Sequence, residues 1–224
     1  MKRLLSVIIL CSAFLIAANT QEYRAGLSTG LKITPRLKAE VEAELRWMNH
    51  PEPYFNRTFQ LGVKYAITSN LNAGVVYSAS FIDKIDRLAD ADEENETAEK
   101  RKISFDLQYQ SKRLPNDLRF THRLRFQQSV FLQEEEPYQY LRNKFTVDYK
   151  LTYKLNPYLS LEPYYLINER KFQALRVYIG NEIAIWKTKL DLYYIAEIRF
   201  RPENTGAQYI VGATVELNFN KNNK

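Results

Sequence analysis

The chain of 224 residues has a single cysteine, two histidines and seven glycines. That cysteine, Cys11, lies in an amino-terminal apolar run, so the chain beyond it has no disulfide to draw on and must be held by strand pairing and packing. After residue 20 no apolar stretch approaches the roughly 20 residues a helical membrane span needs, which excludes helical insertion. There is no Gly-x-Ser-x-Gly elbow, no His/Cys/Asp/Glu group with metal-ligand spacing and no phosphate-cradling glycine loop. No cofactor or metal is therefore expected, and enzymatic activity has little to stand on. Charge of one sign is also scarce. Without Lys2 and Arg3, the 32 basic residues become 30 against 26 acidic ones, a surplus too small and too evenly mixed for a nucleic-acid partner.

What is present begins with a leader. Met1-Lys2-Arg3 is followed by an apolar core from Leu4 to Ala18, the form of a secretory signal peptide over residues 1–20. Ala18 stands at the minus-three position for a cut after Thr20, and a cut two residues earlier fits as well. The run is short for a membrane anchor, and Leu10 is too large for a lipidation box around Cys11.

Beyond the leader the chain alternates. Leu37, Ala39, Val41, Ala43, Leu45 and Trp47 share one parity, and Lys38, Glu40, Glu42, Glu44 and Arg46 share the other. In a strand, successive side chains face opposite ways, so this segment has one apolar and one charged face. Its composition also suits a helix, with Leu37, Val41 and Leu45 four apart. Its neighbours decide for strand, because Phe59 to Ile67 and Leu71 to Phe81 keep the period of two with β-branched and aromatic residues.

Such segments number eleven in all, at a spacing of about 16–22 residues, with no sign of a second domain. Residues 21–220 read as one all-β domain and 221–224 as a polar tail. Turns fall at Thr34-Pro35-Arg36, Thr68-Ser69-Asn70, Asn156-Pro157 and Lys187-Thr188-Lys189. Longer connections run over Met48–Asn56, Asp83–Lys100, Glu134–Pro137 and Arg201–Ala207; the acidic Asp83–Lys100 stretch reads as a solvated loop. Pro163 weakens its strand, since a paired strand loses a hydrogen bond there.

A soluble sandwich alternates too, but three features favour an antiparallel up-and-down transmembrane β-barrel of about 10–12 strands. The polar parity carries charges of both signs: Glu40, Glu42 and Glu44 against Arg119, Arg123, Arg125, Arg142 and Lys144, a set suited to a lumen network. Short and long connections alternate, as periplasmic turns and external loops do. Aromatic residues gather near strand ends, with Trp47, Tyr65, Phe81, Tyr153, Trp186 and Phe219 as interfacial anchors. Such a chain would reside in the bacterial outer membrane after export, with lipid around it and the barrel-assembly machinery as its partner during insertion. If both ends lay in the periplasm the number of spans would be even, which eleven segments do not satisfy.

The leader, the early Gly30-Leu31-Lys32 hairpin into Leu37-x-x-x-Val41-Glu42-x-Glu44-Leu45-Arg46, and Leu124-Arg125-Phe126 with Leu141-Arg142-Asn143-Lys144 form one pattern. With the terminal Gly212-x-x-Val215-Glu216-Leu217-x-Phe219 it resembles an uncharacterised family of Bacteroidetes-type outer-membrane β-barrels, a domain of unknown function. The resemblance implies a location and a fold, and carries no reaction or catalytic residues.

Three function classes follow: a structural or binding barrel with a charge-filled narrow lumen, a small-solute pore preferring anions, and a lipid-modifying hydrolase. A narrow barrel is usually filled by its own side chains, which favours the first. The third needs a histidine beside a serine; His122, on the apolar parity, with Ser129 is the available pair, and His50 lies in a Pro-rich loop.

Overall fold

From Glu22 onward the alternation is realised as one closed sheet in the computed structural model, which describes residues 22–48, 54–84, 97–132, 137–152, 154–201 and 204–218. The strands are β1 (Glu22–Lys32), β2 (Leu37–Met48), β3 (Tyr54–Ala66), β4 (Leu71–Lys84), β5 (Thr97–Gln110) and β6 (Leu118–Phe131). They continue as β7 (Tyr138–Tyr149), β8 (Leu155–Leu166), β9 (Lys171–Ile185), β10 (Thr188–Arg201) and β11 (Asn204–Asn218). Each strand pairs antiparallel with the next, and β1 closes the barrel on β11 in parallel, from Glu22↔Ile210 to Gly30↔Asn218. The parallel seam answers the parity problem. With eleven strands of alternating direction, the first and last run the same way, so Glu22 and Asn218 stand at opposite rims.

One rim carries the connections 33–36, 67–70, 111–117, 150–154 and 186–187; the other carries 49–53, 85–96, 132–137, 167–170 and 202–203. We call the first the turn rim and the second the loop rim. Three of the five connections at the turn rim are built the same way. The Thr34 hydroxyl accepts from the backbone N–H of Leu37 (3.0 Å), Thr68 from Leu71 (3.0 Å) and Thr152 from Leu155 (3.1 Å). In each, the N–H of the preceding apolar residue, Ile33, Ile67 or Leu151, donates to the carbonyl of that same leucine. A threonine in this position replaces a missing backbone partner and sets the chain reversal.

Several boundaries differ from the sequence reading. β3 starts at Tyr54 and β5 at Thr97, both earlier than the apolar alternation alone suggests, because their loop-rim ends carry polar side chains. β7 ends at Tyr149, and the turn follows at Thr152 rather than at Asn156-Pro157, which sits inside β8. Pro163 has the expected effect: the β7·β8 ladder runs Tyr140↔Leu166 to Arg142↔Tyr164 and resumes at Phe145↔Leu161, interrupted opposite the proline. On the β9 side the register slips between Tyr164 and Tyr165. The acidic segments at 85–96 and 134–136 lie outside the described residues.

The Thr turns give a clean test. Thr68→Ala should lower stability by about 0.5–1.5 kcal/mol through loss of the hydroxyl acceptor, whereas Thr68→Ser should be close to neutral. Urea midpoints for the two variants check this, and equal losses would show that the hydroxyl is not what holds the turn.

Candidate functional site

Period-two alternation around a closed sheet leaves one place where polar groups converge, the lumen. Its loop-rim half is filled by a continuous hydrogen-bonded belt. On β8, Glu162 is fully buried (0% exposed). Its Oε1 accepts from Arg123 Nη2 (2.9 Å), and from Arg142 Nη2 (2.9 Å) and Nε (3.2 Å). Its Oε2 accepts from the hydroxyls of Tyr178 (2.6 Å) and Tyr164 (3.3 Å). Arg142 reaches back to Gln127 Oε1 on β6 (2.8 Å).

The belt continues in the other direction. Arg176 donates to the Tyr164 hydroxyl (2.6 Å) and to Glu197 (2.5 Å), and Glu197 also takes Arg199 Nε (2.8 Å). Arg199 donates to Gln208, whose Nε2 donates to Glu22 Oε2 (3.0 Å) across the β1·β11 seam. Glu22 also receives Arg24 Nε and the Tyr54 hydroxyl, each at 2.6 Å. The order follows from register: Glu162, Arg176, Glu197 and Gln208 are direct cross-strand partners on β8, β9, β10 and β11. Opposite side chains on one face are about 4.5–5.5 Å apart at Cβ, close enough for alternating charges to meet. The rings serve as well, since the Arg142 and Arg176 guanidiniums lie 4.3 Å and 4.7 Å from the Tyr164 centroid.

Beside the belt, the β8–β11 wall is packed with rings laid over glycines. A Cβ on Gly180 or Gly212 would collide with the rings of Tyr158 and Tyr193, their direct cross-strand neighbours. Tyr158 is fixed at its far end by Asp191 (3.1 Å and 3.2 Å). Tyr178, Ile195 and Ile210 form the small apolar core against these rings.

At the turn rim a second set of charges forms an arc. Glu40 pairs with Lys38 (2.8 Å) and Lys64 (2.7 Å), and Glu216 with Lys189 (2.9 Å) and Lys38 (3.9 Å); Lys189 also holds Glu182 (3.1 Å). Within the arc, against β1–β3 and β11, lies a cavity of about 200 Å³, and a second of about 140 Å³ adjoins it on the β2–β6 side.

The lumen charges expected from the sequence all point inward, but they do not pair as one network. Glu44 pairs with Arg46 on its own strand (2.5 Å), and Glu40 with its two lysines. Arg119 pairs with Asp148 (2.8 Å), which Arg113 also reaches (2.7 Å), and Arg125 grips Asp106 through two bonds (2.5 Å and 2.6 Å). Arg123 and Arg142 share Glu162, and the Lys144 ammonium sits 3.9 Å from the Tyr178 centroid. Arg119, Arg123, Arg125 and Arg142 are thus served by acids on β5, β7 and β8, and none of them by the glutamates of β2. Sequence reasoning missed Glu162, Arg176 and Glu197. Each is on the inward parity and is flanked in sequence by two apolar residues, Leu161 and Pro163, Leu175 and Val177, Ala196 and Ile198, which was the available signal.

Of the aromatic residues expected as anchors, Trp47 stacks on Tyr23 (centroids 5.7 Å apart) and Phe81 sits near the same loop rim. Tyr65 faces outward near the turn rim, and Trp186, in the turn-rim connection 186–187, is 86% exposed at a positive φ of 51°. Tyr153 and Phe219 lie outside the described residues, as does His50. His122 faces outward, stacked on Phe145 (centroids 4.5 Å apart) with Nε2 3.3 Å from Asn143 Oδ1. Ser129 faces inward and is fully buried. The two lie on opposite faces of β6, so no His–Ser dyad is assembled. Among the described residues no three His, Cys, Asp or Glu side chains gather as a metal site.

Because Glu162 alone neutralises two guanidiniums, Glu162→Gln should cost about 3–5 kcal/mol, the range for removing one partner of a buried ion pair. Glu216→Gln, a quarter exposed at the rim, should cost under about 1 kcal/mol. Urea unfolding of both variants checks the contrast, and equal losses would mean that burial does not decide the worth of these pairs.

Comparison with curated proteins finds no match. A family model described as a protein of unknown function, DUF2490, matches residues 25–222, which takes in all but the edges of the barrel. The chain belongs to the DUF2490 family.

Proposed function

We propose that the protein is an exported outer-membrane β-barrel that serves as a structural or binding element of the envelope, with a lumen closed by its own charges. The observation that carries this is the inversion of burial. Among the side chains that water does not reach are Glu162, Ser129, Ser160 and Thr58, while Phe59, Leu61, Phe145 and Phe172 are each more than half exposed. A water-soluble protein would leave this continuous apolar outer surface unpaid at about 25 cal/mol for each Å². A bilayer removes that cost, and a closed barrel leaves no backbone edge unpaired in lipid.

The rims support the same reading. Charged pairs such as Arg57–Asp83 (2.7 Å) and Arg101–Glu99 (2.8 Å) bound the apolar zone toward the loop rim. Trp186, bulky and exposed in a backbone conformation that disfavours side chains, fits an interfacial anchor at the turn rim. In outer-membrane barrels the short turns are periplasmic, which puts the loop rim outside. Lipid is then the standing partner, and the assembly machinery the transient one.

A small-solute pore is the second reading, favoured by the two adjoining cavities toward the turn rim. The belt opposes it, because eight strands contribute to a hydrogen-bonded floor across the loop-rim half. Two measurements test the proposal. Outer-membrane fractionation with a heat-modifiable gel band is expected, and recovery as a soluble periplasmic protein would overturn it. In planar bilayers the purified protein should give no stable steps, and anion-selective steps would put the pore first. In intact cells trypsin should cut after Arg87, in the 85–96 connection; protection until the outer membrane is permeabilised would reverse the orientation.

A further inference from the structure

The two lumen cavities share Glu40, Glu42 and Lys64 among their lining residues, so they form one vestibule that begins at the turn rim and deepens to Arg123 and Arg125. Most charges in its wall neutralise one another. Glu40 is held by Lys38 and Lys64, and Asp106 by both arms of the Arg125 fork. Two groups are incompletely compensated. Glu42 makes no ion pair or side-chain hydrogen bond among the described residues, although it lines both cavities. Arg123 shares the single carboxylate of Glu162 with Arg142, which leaves one positive charge in excess, and its Nε is buried without a partner. The deep cavity therefore presents one free negative group on β2 and one under-neutralised positive group on β6, across the β3–β5 wall.

We propose that this vestibule binds a small zwitterion of the α-amino acid class, with the ammonium on Glu42 and the carboxylate on Arg123. Uncompensated charges away from bulk water are costly, and a ligand carrying both signs relieves both at once through charge-assisted hydrogen bonds. An ion of one sign would satisfy one group and leave the other. Size limits the class: a cavity of about 140 Å³ matches one that takes a molecule as small as benzene, six heavy atoms, the number in alanine. Gln60 and Gln108 flank the site, and apolar lining is confined to Val76 and Gly62, so a small or polar side chain fits and a large apolar one does not. Entry is from the turn rim, where the first cavity begins among Lys38, Glu40 and Glu216.

The inference rests on the closed barrel of the proposed function, and not on its location in a membrane. Calorimetric titration of the purified, heat-modifiable protein with L-alanine tests it, with acetate and methylammonium as the two half-ligands. L-alanine should bind at least about tenfold more tightly than either half-ligand, since only the zwitterion engages both groups. Glu42→Gln, which keeps the shape, should weaken L-alanine about tenfold or more and leave acetate unchanged. Gly62→Met fills the cavity instead. A Cβ there meets Val76 at 3.4 Å and Glu40 at 3.8 Å, ordinary contacts, so the barrel should fold and L-alanine binding should be lost. No heat from L-alanine with the folded protein overturns the inference, as does equal binding of L-alanine and acetate that survives Glu42→Gln. Either result in a heat-modifiable outer-membrane barrel leaves the proposed function standing, while soluble recovery with binding intact sinks only the membrane reading.

Discussion

Everything in this molecule depends on the sheet closing on itself, and it closes through a parallel pair. A parallel ladder is slightly weaker per residue than an antiparallel one, so the β1·β11 seam is where support is most needed. Side chains supply it. Gln208 on β11 donates to Glu22 on β1, and Glu22 is in turn held by Arg24 and by Tyr54 on β3. Facing the lumen along the same seam, Arg24 lies opposite Gly212, Gly26 opposite Thr214, Ser28 opposite Glu216 and Gly30 opposite Asn218, so each pair has one small member where the strands meet. The Tyr193 ring, from β10, lies over Gly212 and fills what the glycine leaves.

The lumen is divided by this arrangement. On the β8–β11 side, rings over glycines and the alternating row Glu162–Arg176–Glu197 fill the interior; on the β2–β6 side the inward residues Gly62, Gly74, Ser78 and Ser80 are small. Cavities are left there because Gly62 and Gly74 put no side chain between those of their cross-strand neighbours, Glu40 and Val76 beside Gly62, Lys64 and Asp106 beside Gly74. Ion pairs in a filled interior are weak evidence for stability, since apolar groups of the same volume do as well or better. What they impose is order. A slip of one residue in β8, β9 or β10 would turn a charge of the row outward, so the row fixes register.

The period of two carried most of the fold. All eleven strands were legible in it, along with which residues face the lumen, because a closed sheet allows no other sorting of apolar and charged parities. Pairing was not legible. Whether Arg125 meets Asp106 or Glu42 depends on which strand lies beside β6 and at what register, and alternation is silent on both. The misplaced third turn had a readable signal. Ile33-Thr34-x-x-Leu37 and Ile67-Thr68-x-x-Leu71 repeat as Leu151-Thr152-x-x-Leu155, and the hydroxyl geometry is the same in all three. Asn156-Pro157 drew attention as a turn dipeptide, but Pro157 faces outward in β8 next to a turn that the threonine had already made.

The same division of the lumen separates structure from function. In the belt almost every donor meets an acceptor within the chain, so a solute there would have to displace bonds that hold the seam closed. In the vestibule the small residues of β3 and β4 leave room, and Glu42 and Arg123 leave charge. A side chain large enough to reach across from Gly62 would fill that room at little steric cost, and a strand-interior glycine is otherwise a liability, giving up backbone entropy and packing. An open space lined by uncompensated groups, kept open by a residue that weakens its own strand, is a cost that packing alone does not explain. It is the part of the barrel where selection for something other than folding has the most to act on.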